Sequence, residues 1–280
     1  MSLIAHLTEL RNRVGKALLF VVIGTAVAFW WYNHGLGTFI RAPYCDLPAD
    51  QRYGSAGGGC DLLVTDVFSG ALVRLKISFI VGVVLSAPLW LYQVWAFITP
   101  GLKRNEKRYG VAFVAASSLL FALGAALAYI SLAKGLQLLI GLAGNGVVVA
   151  LTADKYVGFV ISLLLAFGVS FELPLILVVL NLVGVLGYEL LKKSRRWLFF
   201  LTLVFAAFIT PTQDPFTMLL MAVPMCVLFE VAIQIARVVD RRRARRAAYE
   251  HFHDIGDDEA SPLDARPSPL PSPLDPRPTP

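Results

Sequence analysis

The chain has 280 residues, 57% of them hydrophobic, a mean hydropathy of +0.67 and a net charge of +6. These values exclude an ordinary soluble domain and indicate a multi-spanning membrane protein. Lys and Arg cluster at the ends of apolar runs, so the positive charge bears on topology rather than on nucleic acid, and no phosphate loop or basic-aromatic RNA motif occurs.

Residues 1–14 are too polar to span. Leu3, Leu7, Leu10 and Val14 share a narrow arc at 100° per residue while Glu9 points away, which predicts a short amphipathic helix at the interface. Glu9 stands four residues before Arg13, so a plain helix-surface ion pair and a partner contact are both open to it. The first span is expected over about 15–33. Ala26-Val27-Ala28 imitates a signal-peptidase site, but Phe29, Trp30, Trp31 and Tyr32 follow directly as an interfacial belt, and the run reads as a retained helix.

Residues 33–68 read as a long polar loop holding Cys45 and Cys60. In an oxidising compartment these two would form a disulfide worth ~3 kcal/mol, and two free loop cysteines are the alternative. Cys226 lies in an apolar run, Cys-x-x-Cys spacing is absent, and His is too scarce and scattered for a metal site. Further spans are expected at about 75–98, 110–130, 157–182, 197–209 and 215–235, with a looser, Gly-containing segment at 132–154. The run 197–209 is only ~20 Å long against a ~30 Å hydrocarbon core, so it is a short span with local thinning or half of a re-entrant pair. Asp214-Pro215 has the form of a helix start, an N-cap acid before Pro at the first helical position.

Six spans put both termini on one side of the membrane. The N-terminal segment, the turns 99–109 and 188–196, and residues 237–246 carry seventeen Lys and Arg; the opposite side carries six. The positive-inside rule therefore makes both termini cytoplasmic and the cysteine loop external. Residues 237–246, six of ten basic, are suited to anionic headgroups, and the Pro-rich 254–280 reads as a disordered tail.

Two places could carry chemistry. In the turn after Trp95, the helix stop Pro100-Gly101 follows Phe97 and Ile98, and Glu106 is then a lone acid among Lys103, Arg104, Lys107 and Arg108. It could receive a cationic ligand, or simply pair with its neighbours in water. Glu172 is the only charged residue between Val157 and Gly187; a carboxylate at that depth costs at least ~2.5 kcal/mol and points to function unless it serves backbone freed by Pro174. Catalytic signatures such as His-Glu-x-x-His and Gly-x-Ser-x-Gly are absent, and no cofactor is indicated. A proton-coupled small-solute transporter using Glu172 is the rival reading, although the internal repeat usual in that class is missing.

Five motifs occur in order: His6-Leu7-Thr8-Glu9-Leu10-Arg11; Ser86-Ala87-Pro88 through Tyr92-Gln93-Val94-Trp95-Ala96-Phe97; Pro100-Gly101-Leu102 with Glu106; Phe167-Gly168-Val169-Ser170-Phe171-Glu172-Leu173-Pro174; and Thr210-Pro211 with Asp214, Pro224 and Phe229-Glu230. Together they strongly resemble TatC, the polytopic subunit of the twin-arginine protein translocase, over about residues 3 to 237. The resemblance implies an all-α integral membrane protein of six transmembrane helices, a glove-like concave bundle with two short C-terminal spans, in the bacterial inner membrane. It implies no enzyme, but a receptor and scaffold for proton-gradient-driven export of folded precursors. By the matching motifs, Glu9, Leu10, Arg11, Phe97, Pro100 and Glu106 would bind the Arg-Arg signal peptide. Glu172 would be the intramembrane transport residue. Thr210, Pro211, Asp214 and Glu230 would belong to the docking region for single-span TatA- and TatB-type partners, and further copies of the chain and anionic lipids are implied as neighbours. Cys45 and Cys60 and the Pro-rich tail are departures from the family pattern.

Overall fold

In hydrocarbon a backbone must satisfy its own hydrogen bonds, and each apolar run accordingly folds as helix. The computed structural model describes residues 3–47, 60, 62–98, 107–142, 151–211 and 214–253. The elements are α1 (Leu3–Trp31), a 3-10 turn (Tyr32–His34), α2 (Leu36–Cys45), α3 (Ser69–Leu85), α4 (Ala87–Ile98), α5 (Lys107–Leu142), α6 (Ala153–Ser170), α7 (Leu173–Val183), α8 (Tyr188–Lys193), α9 (Arg195–Ile209) and α10 (Pro215–His253). Among the described residues there is no strand, only one parallel bridge between Leu63 and Thr152. Two units are present, Met1–Ala236 and Arg237–Pro280.

Four stretches are long and apolar enough to cross a membrane: His6–His34, Gly110–Leu138, Ala153–Val183 and Pro215–Arg246. A fifth is the pair Ser69–Leu85 and Ala87–Phe97, bent by 59°. The bend lies where Pro88 removes a helix donor. There the Ser86 hydroxyl donates to the Gly82 carbonyl at 2.7 Å and the Trp90 indole N–H to the Val83 carbonyl at 3.0 Å. Pro174 sits in the first turn of α7 after a short break at Phe171–Glu172, and Ala153–Val183 still forms one span, whereas α10 stays helical through Pro224. The fifth expected span, 197–209, corresponds to α9, whose fifteen residues reach about 22 Å.

Several boundaries differ from the sequence expectation. Residues 3–14 are not a separate interfacial helix; α1 runs unbroken into the first span, because Gly15 alone, with open space around it, is too weak a stop. The loop expected at 33–68 contains α2, which docks through aromatic contacts. Tyr156 donates its hydroxyl to the Ile40 carbonyl at 2.7 Å, and Tyr129 donates to the Phe39 carbonyl at 2.9 Å while stacking on its ring at 4.6 Å. Cys45 and Cys60 are joined by a disulfide at the end of α2. The segment expected to be loose from 132 is helical to Leu142, since Gly135 fits against Thr217 rather than opening a turn. In the second unit helix continues to His253, and Arg241, Arg242, Arg243, Arg245 and Arg246 are exposed. Residues 254–280 lie outside the described residues.

Two backbone-to-backbone crossings organise the first unit. On α1 and α3, a Cβ added at Gly24 would lie 2.6 Å from the Gly82 carbonyl oxygen, and one added at Gly82 would meet the Thr25 backbone. On α5 and α6, a Cβ at Gly124 would lie 2.8 Å from the Phe167 carbonyl oxygen, and one at Gly168 2.8 Å from the Phe121 ring. Gly82→Val should therefore push α1 and α3 apart and destabilise the protein by ~1–3 kcal/mol. Gly70→Ala, with nothing within 4 Å, should be neutral or slightly stabilising in the same thermal unfolding assay in detergent.

Candidate functional site

The N-terminal turns of α1 and the C-terminal half of α4 pack together. Between them runs a groove of about 490 Å³, lined by Glu9, Asn12, Arg13 and Lys16 from α1 and by Tyr92 and Gln93 from α4. Positions 6, 9, 13 and 16 fall on one side of a helix, three or four residues apart, which is why α1 presents them together. One carboxylate oxygen of Glu9, Oε1, accepts from Arg13 Nε at 2.9 Å and from Nη2 at 2.6 Å. Both side chains keep somewhat over a quarter of their surface exposed, so this pair is worth only ~0.2–1 kcal/mol. One turn before Glu9, His6 stacks on Phe97, ring centroids 4.5 Å apart and planes within 21°.

The structure thus brings Glu9 and Phe97 to one α1–α4 face. Leu10 and Arg11 do not line the groove; both are exposed to solvent or lipid. Pro100 and Glu106 lie outside the described residues. His6 is a member of this face that the motif alone does not single out; its spacing of three from Glu9 is the signal that places it there.

Glu172 sits at the junction between α6 and α7, at the N-terminal edge of α7. Its Oε2 accepts from the Ser117 hydroxyl of α5 at 2.6 Å, while Oε1 is buried with no hydrogen-bond partner among the described residues. The carboxyl therefore turns to a neighbouring helix instead of the backbone freed by Pro174. Ser117, fully buried, is a site residue that sequence reasoning misses; the Ser117-Ser118 pair inside an apolar run is its only signal. Two apolar grooves flank the junction and share Phe205. One of about 260 Å³ includes Leu173, Leu201 and Met225, and the other, about 330 Å³, includes Val169, Ser170 and Ile209.

The expected docking residues divide between two ends of the α9–α10 hairpin. Thr210 is buried and donates to the Ala206 carbonyl at 2.9 Å; Pro211 is exposed beside it. Asp214 caps α10, its Oδ1 accepting from the Thr217 amide at 2.8 Å. Glu230 lies about 24 Å further along α10. There its Oε2 pairs with Arg195 at 2.8 Å at the start of α9, and its Oε1 accepts from Gln234 at 2.9 Å. Between these ends Trp197, Phe200, Leu201 and Phe208 of α9 are widely exposed, with Ala206 packed on Met221, Ala222 and Met225. No group of His, Cys, Asp and Glu among the described residues could hold a metal ion.

This is a helical, multi-span membrane protein, and its sequence places it among protein translocases. The model of the family described as Sec-independent protein translocase protein (TatC) matches residues 5–224. The TatC protein of Frankia casuarinae is 48% identical over 267 residues, covering 94% of this chain and 73% of its own. That of Escherichia coli K12 is 35% identical over 237 residues, covering 84% and 88% respectively. A crystal structure described as the twin arginine translocase receptor TatC in DDM superposes with a TM-score of 0.67 at 33% identity, over 82% of this chain and 99% of that one. The chain belongs to the TatC family, a non-catalytic component of the Sec-independent protein translocase.

Removing the Ser117 hydroxyl leaves Glu172 without its donor inside apolar packing. Ser117→Ala should destabilise the protein by ~1–3 kcal/mol, and pairing it with Glu172→Gln should recover part of that loss. Denaturant unfolding of the four-member cycle measures the coupling.

Proposed function

We propose that the chain is the receptor and scaffold subunit of the twin-arginine translocase, binding Arg-Arg signal peptides of folded precursors at the cytoplasmic face of a bacterial inner membrane. The observation that carries this reading is the α1–α4 groove. It holds one carboxylate, Glu9, with an aromatic ring, Phe97, at its end. A carboxylate is the natural partner of a guanidinium, and an aromatic face suits the apolar residues that follow the arginines. The solved neighbour, described as a receptor, supports the same reading. Glu106 and Pro100 are assigned to the same site by their motif alone.

In this reading the chain crosses the membrane six times with both termini cytoplasmic, as the distribution of Lys and Arg favours. Residues 237–246 contact anionic headgroups, and further copies of the chain assemble beside it. The exposed apolar face of α9, next to Asp214 and the flanking grooves, receives single-span TatA- and TatB-type helices. The shortness of α9 then thins the bilayer where the partners gather, and the proton gradient drives transport without a nucleotide or cofactor.

Binding of a twin-arginine peptide and its twin-lysine version to the full chain in nanodiscs tests the receptor reading. The arginine peptide should be preferred, and Glu9→Gln and Glu106→Gln should each reduce that preference at least tenfold, the scale of a charge-assisted pair. Lengthening α9 by one apolar turn should leave peptide binding intact and lower transport; unimpaired transport would count against thinning. The buried Glu172–Ser117 contact gives a proton-coupled solute transporter a foothold. That reading requires solute flux from this chain alone in liposomes and indifference to Glu9 and Glu106.

A further inference from the structure

Arg13 supplies to Glu9 what a signal arginine would supply. Its Nε and Nη2 approach one carboxylate oxygen together, the side-on presentation of a guanidinium. His6 likewise covers Phe97 with a parallel ring. We propose that these two α1 side chains are internal stand-ins for the ligand and that a twin-arginine signal binds by exchange with them, so that Arg13 holds down the affinity of the groove for cationic ligands. The inference rests on the groove being the receptor site.

The charge of the groove supports exchange over simple addition. Among the described lining residues Glu9 is the only acid, Arg13 and Lys16 are both cationic, and Asn12, Tyr92 and Gln93 are neutral. A second guanidinium entering while Arg13 stays on Glu9 would meet like charge from Arg13 and Lys16 and would have to share the Glu9 carboxylate. Arg13 can leave at small cost, because the pair is partly in water and its long stem reaches solvent. What replaces it must match it. A guanidinium restores the two-point contact that is lost, whereas an ammonium offers a compact point charge. The cost of displacing Arg13 is the same for every ligand that displaces it, so this competition lowers the affinity for arginine and lysine peptides alike, and the preference between them is set at Glu9.

The test uses the full chain in nanodiscs with fluorescent twin-arginine and twin-lysine peptides. Arg13→Gln should tighten the arginine peptide about two- to five-fold, the range set by release of an exposed ion pair. It should tighten the lysine peptide by the same factor, so the arginine preference is kept. Arg13→Lys, a weaker competitor, should tighten the arginine peptide partway. His6→Ala should strengthen only peptides carrying Phe or Leu after the arginines. Unchanged or weaker arginine-peptide binding by Arg13→Gln and Arg13→Lys, both unfolding at the wild-type temperature, would overturn the proposal. Glu9→Gln separates the two levels: if it leaves the arginine preference intact, the receptor reading of this groove fails. If it abolishes that preference while Arg13→Gln tightens nothing, only the stand-in role fails.

Discussion

Helices dissolved in lipid gain little by leaving it, because acyl chains are as apolar as leucine, and association must come from close packing. Here that packing is concentrated where Gly24 meets Gly82 and where Gly124 meets the Phe167–Gly168 backbone. Everything functional is positioned from these two crossings. The first fixes α1 on α3, and because α3 and α4 form one bent pair, it also decides where Glu9 falls relative to Gln93 and Phe97. The second fixes α5 on α6. Ser117 lies two turns before Gly124 on α5, and Glu172 lies four residues after Gly168, so their hydrogen bond follows from that contact.

The hydroxyl groups show how exceptional that bond is. Thr25, Ser78, Ser118, Ser162, Thr202 and Thr210 each donate to the carbonyl four residues earlier in the same helix, which hides a polar group without involving any neighbour. Ser117 instead crosses to a carboxyl on another element. A buried acid with a dedicated donor costs less than a bare one but holds two helices in register, so its retention ties packing to whatever the acid does.

Much of this architecture is legible in the order of the amino acids. Hydropathy locates the spanning regions, Asp214-Pro215 announces the start of α10, and the ordered motifs indicate the family. What escapes are features decided by neighbours. Gly15 and Gly135 are both open to being stops, yet helix continues through them because nothing nearby rewards a turn. The helix α2 is hidden in a polar, Pro-containing stretch, since its stability comes from Tyr129 and Tyr156 on distant elements. Ser117 looks like any membrane serine. The residues expected to form one docking region, grouped by motif, occupy opposite ends of one hairpin, because a helix separates in space what a motif joins in sequence.

The Cys45–Cys60 bond carries information of a different kind. It closes the connection between α1 and α3 at the end opposite the α1–α4 groove, close to where Leu63 pairs with the start of α6. Thiols oxidise stably only in certain compartments. In the orientation proposed above, with both termini cytoplasmic, the bond lies on the oxidising side of the membrane, and a copy threaded the other way round would keep both thiols reduced. On that reading the oxidation state of Cys45 and Cys60 reports which way a given molecule was threaded.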